Sequence, residues 1–317
     1  MEIKDQRILV TGGLGFIGSH LVERLLRDGC TVAAYDNYDD FYPGKEENAK
    51  LLLRNKQFKI IRGDILDEPL LKSTIKNYDV IFHLAAQAGV RYCNQLPLKA
   101  NKVNVDGTLN VLLAAKEAGV KKIVYASSSS IYGDPVYLPM DEKHPTNPNS
   151  PYGVSKLAGE QYCKVFTKVY GMNISSLRFF SVYGPRGRPD QVIYAFADKI
   201  RRGEQPVIFG DGEQTRDFTF ISDVVEGIVL AIEKDTPGEA FNIGHGSRIT
   251  MNELLKKVCF HTGKSVPAVY TEKAKGDFPD TEANHDKAKN LLGWNPKVTL
   301  DEGLKQFFEW FKSQTIH

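Results

Sequence analysis

The chain has 317 residues, of which 42% are hydrophobic and 25% charged; this suits one large or two ordinary globular domains with a substantial core and leaves no sign of disorder. Its 41 lysines and arginines nearly balance its 39 aspartates and glutamates, and neither sign is gathered into a block. A nucleic-acid or anionic-membrane partner therefore has no electrostatic support, and any anionic ligand must be met by local arginines. Cys30, Cys93, Cys163 and Cys259 lie far apart without C-x-x-C spacing, which predicts reduced core thiols, no metal site and no disulfide framework. Met1 leads into charged residues without an apolar signal segment, and no apolar run is long enough to span a bilayer, so a cytoplasmic location is expected.

The first predicted strand is the apolar run Ile8–Val10, broken at once by Thr11–Gly13 and followed by a helix from near Phe16. Between strand and helix stand Gly12, Gly15 and Gly18, spaced G-x-x-G-x-x-G. The first allows a tight turn, the second lets backbone approach a pyrophosphate, and the third lets the helix lie against the strand, with the helix N-terminus facing the phosphates. Three glycines could form no more than a turn, but Thr31–Tyr35 reads as a second strand and Asp36 ends it, where an acid meets the adenosine ribose hydroxyls. Strand, glycine turn, helix, strand and acid together make a dinucleotide site. The aspartate repels a 2′-phosphate, so NAD is expected rather than NADP.

After a polar, aromatic loop and a short helix, Phe58–Ile61 is a third strand ending at Gly63-Asp64, and 66–76 is a helix. Residues 79–84 form a fourth strand, whose end (Leu84, Ala85, Ala86, Gln87) carries small residues where a cofactor passes. One long helix is predicted over 97–119, a fifth strand over 122–127 running into Ser127–Ser130, a helix over 150–170 and a sixth strand over 173–179. Strands alternating with helices six times predict an α/β fold with a doubly wound parallel sheet of the Rossmann type, its ligands beyond the carboxyl ends of the strands. After Gly184 the alternation weakens into polar loops, a strand at Phe241–Ile243 and helices at 252–261 and 300–312. This predicts a dinucleotide-binding unit over 1–184 and a smaller C-terminal α/β lobe over 185–317, mainly for substrate. No glycine-, serine- or proline-rich linker divides them.

Tyr152 and Lys156 are four residues apart in a helical pattern and share one face. An ammonium beside a phenol favours the phenolate, which can take a proton from an alcohol near neutral pH. Tyr-x-x-x-Lys alone is most often a surface pair. Here it follows the strand-end serines, and Ser128 can hydrogen-bond the same alcohol oxygen, so the group predicts oxidoreduction of a secondary alcohol.

TGGLGFIGSH, HLAAQAG, NVDGTLNVL, YASSSSIYG, PYGVSK, RFFSVYGP and TRDFTFISDV together resemble the extended short-chain dehydrogenase/reductase family over nearly the whole chain. Within its nucleotide-sugar epimerases the chain looks most like the UDP-glucuronate 4-epimerases. The resemblance implies Ser128, Tyr152 and Lys156 as the catalytic trio. It implies cofactor contacts at Gly12, Gly15, Phe16, Ile17, Gly18, Asp36, Asn37, Asp64, Ile65 and Leu84–Gln87, with Asn104 orienting the lysine. It also implies Arg216 and Asp277 on the nucleotide diphosphate and ribose, and a homodimer through the helices around Val103–Lys116 and Gly153–Lys168. Two departures from UDP-galactose epimerases stand out: Ser181 replaces an asparagine, and Lys273 and Lys275 stand where an arginine is usual.

The family's 4,6-dehydratases need an Asp-Glu pair where this chain has Ser129 and Ser130, and its UDP-glucuronate decarboxylases usually have glutamate in place of Ser130. Without these acids a reversible oxidation remains: the 4-hydroxyl becomes a ketone, the sugar turns, and the hydride returns on its other face. The resemblance implies UDP-glucuronate converted to UDP-galacturonate. The 4-keto sugar would then be a β-keto acid whose carboxylate must be held, and Ser129, Ser130 and Ser181 are expected to donate to it, with Arg188 stabilising its charge. Arg91 and Arg186 stay open between substrate contact and solvated surface. UDP-glucose or UDP-N-acetylglucosamine 4-epimerisation and UDP-glucuronate decarboxylation are the alternatives. A non-enzymatic dinucleotide sensor typically lacks the tyrosine or lysine, and both are present here.

Overall fold

The computed structural model describes residues 3, 4, 6–273, 276 and 279–314. The first half of the chain alternates β1 (Arg7–Thr11), α1 (Phe16–Arg27), β2 (Thr31–Asp36), α2 (Lys45–Leu52), β3 (Phe58–Arg62), α3 (Glu68–Ile75) and β4 (Val80–His83). It continues through α4 (Val90–Gln95), α5 (Pro97–Asn101), α6 (Gly107–Ala118), β5 (Lys122–Ser128), α7 (Pro151–Tyr170) and β6 (Ile174–Phe179). The second half adds β7 (Ser181–Tyr183), α8 (Val192–Arg201), β8 (Val207–Phe209), β9 (Thr215–Arg216), β10 (Phe218–Phe220), α9 (Ile221–Glu233) and β11 (Ala240–Ile243). It ends with β12 (Ile249–Thr250), α10 (Met251–Thr262), β13 (Val269–Thr271), α11 (Asp286–Leu292) and α12 (Leu300–Lys312).

Ile8, Leu9 and Val10 are fully buried, as are Val80, Ile81 and Phe82, because helices cover both faces of the sheet they build. That sheet has seven strands in the order β11-β6-β5-β4-β1-β2-β3, and every neighbouring pair is parallel. Winding reverses between β1 and β4, which opens a crevice at their carboxyl ends. One face packs Leu21 and Leu25 of α1 with Val224 and Ile228 of α9. The other packs Leu71, Val111, Leu112 and Phe166 under α3, α6 and α7. Each such side chain contributes roughly 1.5–3 kcal/mol by its burial.

Three local features differ from the pattern read in the sequence. The strand at Phe241–Ile243, expected in the smaller lobe, is part of β11 and pairs with β6 in the large sheet; all four of its residues are buried, but intervening loops hide it from the alternation. The helix expected over 97–119 is continuous but contains a π turn at Lys102–Asp106 between α5 and α6. The stretch after β4 folds into the short helix α4. The helix of the Tyr-Lys pair, α7, has clear ends: Ser150 accepts a hydrogen bond from the Gly153 amide, Pro151 takes the first turn, and Gly171 closes it in the left-handed conformation. The remaining strands form the two-stranded pieces β7·β10, β8·β13 and β9·β12. Among the described residues no helix is long and apolar enough to cross a membrane.

Candidate active site

The turn after β1 is shaped by close approach. Gly12 has φ +70°, and a Cβ on it would lie 2.8 Å from the Ala85 amide nitrogen, so β1 and β4 can approach here only without a side chain. A Cβ on Gly18 would collide with the Gly12 carbonyl, and Gly15 is the N-cap of α1. Asp36, 5% exposed, braces this turn: one carboxylate oxygen accepts from the Leu14 amide (3.1 Å) and the other from the Tyr38 amide (2.9 Å), with Lys45 at 3.8 Å. Asp64 accepts from Asn37 Nδ2 and the Leu66 amide, each at 2.9 Å.

These groups line a cavity of about 190 Å³ at the sheet's switch point. Its walls contain Gly12, Gly15, Phe16, Ile17 and Gly18, then Asp36, Asn37, Asp64 and Ile65, then Leu84–Gln87, and finally Tyr152 and Lys156. Of the expected cofactor residues Asn104 alone is not in these walls. It is buried in the π turn, where its side chain accepts from the Gln87 amide (2.7 Å) and donates to the Gln87 carbonyl (3.0 Å) and to Ser155 Oγ (2.9 Å). Ser155 in turn donates to the Tyr152 carbonyl (2.8 Å). Asn104 thus bolts the cavity floor to α7 through Ser155, and no hydrogen bond joins it to Lys156; π turns recur at functional sites for such purposes.

A second cavity, about 770 Å³, is lined by the ends of β5 and β6 and by residues of β7, α4, α8, β8 and β9. It shares Phe16, Ile17, Phe41, Ser127, Tyr152, Phe179 and Arg188 with the first. Ser128, Ser181 and Arg216 line it as expected, and so does Arg91, whose guanidinium lies 4.0 Å from the centre of the Phe209 ring. Arg186 does not: at φ +62° it turns to α1 and pairs with Glu23 at 2.6 Å. Ser129 and Ser130 are not among the residues lining either cavity; Ser128 Oγ caps a 3₁₀ turn over Ser129–Ile131, accepting from the Ser130 amide and donating to Ser130 Oγ, each at 3.1 Å. Asp277 and Lys275 fall outside the described residues, and Lys273 packs against Gly210.

Tyr152 stands where the two cavities meet. Burial pushes its phenol up, while the charge of Arg188 and a hydrogen bond with Ser128 pull it back. Arg188 thus joins the lysine one turn along the helix among the positive charges near the phenol. Arg188 is itself fixed by a bidentate pair with Asp190 (2.8 and 3.0 Å). Lys156, 3% exposed, lies 4.5 Å from the centre of the Tyr125 ring, and burial pulls it down to about 8. Behind the site, Ser127 donates to Glu160 (2.8 Å), which receives Arg178 at 2.7 and 3.0 Å, so a buried ion pair ties α7 to β6. Phe41, Tyr42 and Lys45 in the cofactor wall went unread in the sequence, although the aromatic loop after Asp36 was its one visible signal. Among the described residues no three His, Cys, Asp or Glu side chains converge to hold a metal ion.

A parallel sheet with a glycine-lined crevice at its switch point, faced by a Ser/Tyr/Lys constellation, defines a dinucleotide-dependent enzyme of the short-chain dehydrogenase type. The family model of the NAD-dependent epimerases and dehydratases matches residues 8–244, and the chain belongs to that family. UDP-glucuronate 4-epimerase of Thermodesulfobacterium geofontis is 38% identical, over 96% of this chain and 95% of its own. The Bacillus cereus UDP-glucuronic acid 4-epimerase, solved with UDP-glucuronic acid and NAD, superposes with a TM-score of 0.93 at 36% identity, over 96% of this chain and 99% of that one. Thermotoga maritima UDP-glucose 4-epimerase, solved with UDP-glucose, gives 0.91 at 40% identity, over 96% and 98%.

Proposed function

We propose that this chain is an NAD-dependent isomerase that epimerises carbon 4 of a UDP-sugar, taking UDP-glucuronate to UDP-galacturonate. The observation that carries the reading is Tyr152 at the junction of two cavities, one walled by the glycine turn and Asp36 and the other entered by Ser181, Arg188 and Arg216. The crevice suits NAD: the glycine turn brings the start of α1 to the cavity, where a helix N-terminus favours a diphosphate, and Asp36 suits a ribose with free hydroxyls. When bound there, NAD accepts a hydride from carbon 4 and gives it back.

The chain's own residues handle the proton. Tyr152, as phenolate, takes it from the 4-hydroxyl and returns it to the carbonyl oxygen after the sugar has turned, and Ser128 holds the same oxygen. Lys156 and Arg188 supply the positive charge that favours the phenolate. Arg216 is assigned to the diphosphate, and Ser181 with Arg188 to the uronate carboxylate. Oxidised at carbon 4, that sugar is a β-keto acid, which an epimerase must hold without offering an acid to assist loss of carbon dioxide; no aspartate or glutamate occupies 128–130. UDP-glucose is the second reading, supported by the 40% identity to the Thermotoga enzyme.

The proposal extends to a homodimer, since the helices at 97–118 and 151–170 leave Leu98 (85% exposed), Val154 (54%), Val165 (49%) and Val169 (62%) uncovered. It extends to a cytoplasmic enzyme with four free cysteines, and to a division in which 1–184 hold cofactor and catalytic residues and 185–317 most of the sugar-nucleotide lobe. The test is a panel of UDP-sugars incubated with purified protein and no added cofactor, with chromatography of the products and assay of heat-released nucleotide. Turnover of UDP-glucuronate with NAD(H) released is the expected result. No bound nucleotide and a strict need for added NADPH would overturn it.

A further inference from the structure

The Phe16 amide, the first N–H of α1, donates to the Tyr42 hydroxyl at 2.7 Å. Gly15 lets the phenol come this close, since a Cβ there would lie 3.1 Å from that oxygen. The ring is held from both sides: the Lys45 ammonium lies 5.7 Å from its centre, and Phe41 meets it edge-on at 6.1 Å. The loop itself is pinned, with the Asp39 carboxylate accepting from the Phe41 amide (2.8 Å) and from Lys99 (3.2 Å). The phenol oxygen is thus used as an acceptor, while among the described residues its own proton has no partner, and Tyr42 lines the cofactor cavity. Burial pushes the phenol up to about 12, so it is a neutral donor at neutral pH.

We propose that Tyr42 is a cofactor-binding residue that relays the positive N-terminus of α1 to the diphosphate of NAD. The Phe16 N–H polarises the phenol, and the phenol O–H donates to a phosphate oxygen. The inference rests on the NAD reading of the crevice. It is tested in holoenzyme with Tyr42→Phe, which keeps the ring and its packing, by displacing bound NAD with ADP-ribose and with adenosine. One hydrogen bond to a charged group predicts that NAD and ADP-ribose bind about 10-fold more weakly in the variant while adenosine, which lacks the diphosphate, binds as before. Unchanged NAD affinity overturns the inference, and an equal loss for adenosine overturns it by assigning Tyr42 to loop packing. Wild-type protein that holds neither NAD nor ADP-ribose removes the cofactor reading and this inference with it.

Discussion

The cofactor crevice and the sugar cavity share Tyr152 and are built in opposite ways. Much of the crevice comes from the ends of β1, β2, β3 and β4 and the residues just after them, so the pairing of adjacent parallel strands brings Gly12, Asp36, Asp64 and Ala85 together, and α7 adds Tyr152 and Lys156. The sugar cavity takes Arg91 from α4, Ser181 from β7, Arg188 from the turn before α8, Phe209 from β8 and Arg216 from β9, short elements strung on loops of both halves of the chain. Those loops are held by polar knots such as Asp217, fully buried, whose carboxylate accepts from the amides of His245 (2.8 Å), Gly246 and Ala283 (each 2.9 Å). A site made by backbone geometry is compact in sequence, whereas one made by side chains on tethered loops depends on the whole lobe.

The largest effect is expected where the two regions meet. Tyr152→Phe removes the acid/base oxygen and should lower turnover about 10²- to 10⁴-fold with NAD still bound. Near-normal rates in steady-state assays would move the chemistry to another residue. On the crevice side, a Cβ in Gly18→Ala meets the Gly12 carbonyl, and overpacking of that kind costs about 1–3 kcal/mol. The variant should lose bound NAD and melt earlier while still binding UDP; retained NAD would show that α1 can shift without loss. On the sugar side, Asp217→Asn can replace the oxygen that accepts from Gly246 and Ala283 by an amide nitrogen that cannot accept, which weakens the knot. It should raise KM for the UDP-sugar and leave NAD content unchanged, and equal loss of NAD would erase the distinction between the regions.

Arg188→Ala crosses the boundary and should have the smallest effect on rate. Arg188 favours the phenolate of Tyr152, so its loss raises the phenol further and moves the ascending limb of the kcat/KM profile to higher pH. The same variant should release a larger fraction of UDP-pentose from UDP-glucuronate. A pH profile and product ratio identical to wild type would detach Arg188 from both the phenol and the carboxylate.

The contrast also accounts for what could be read from residues alone. Gly12, Gly15, Gly18 and Asp36 are legible because their roles follow from their positions beside a strand, and Tyr152 with Lys156 because a helix puts them on one face. Arg186 and Arg188, two residues apart, part company at a left-handed turn that sends one to Glu23 and the other into the cavity, and no periodicity predicts which. Ser129 and Ser130 carry the residue types that would suit a carboxylate, but whether a serine run lines a cavity depends on the 3₁₀ turn that follows the strand, which no periodicity reveals. Asn104 also joins Gln87 to Ser155, a link its motif alone does not show. β11 was missed as a member of the large sheet because its partner β6 lies about 60 residues earlier, beyond the reach of a local pattern.

The central claim is that one bound NAD takes hydrogen from carbon 4 and returns it to the same carbon on the opposite face. UDP-glucuronate carrying deuterium at carbon 4 tests it most directly, with the product read by NMR and mass spectrometry after incubation without added cofactor. The account predicts UDP-galacturonate that keeps its deuterium at carbon 4. Product with protium from solvent at that carbon, or UDP-pentose as the main product, would contradict it.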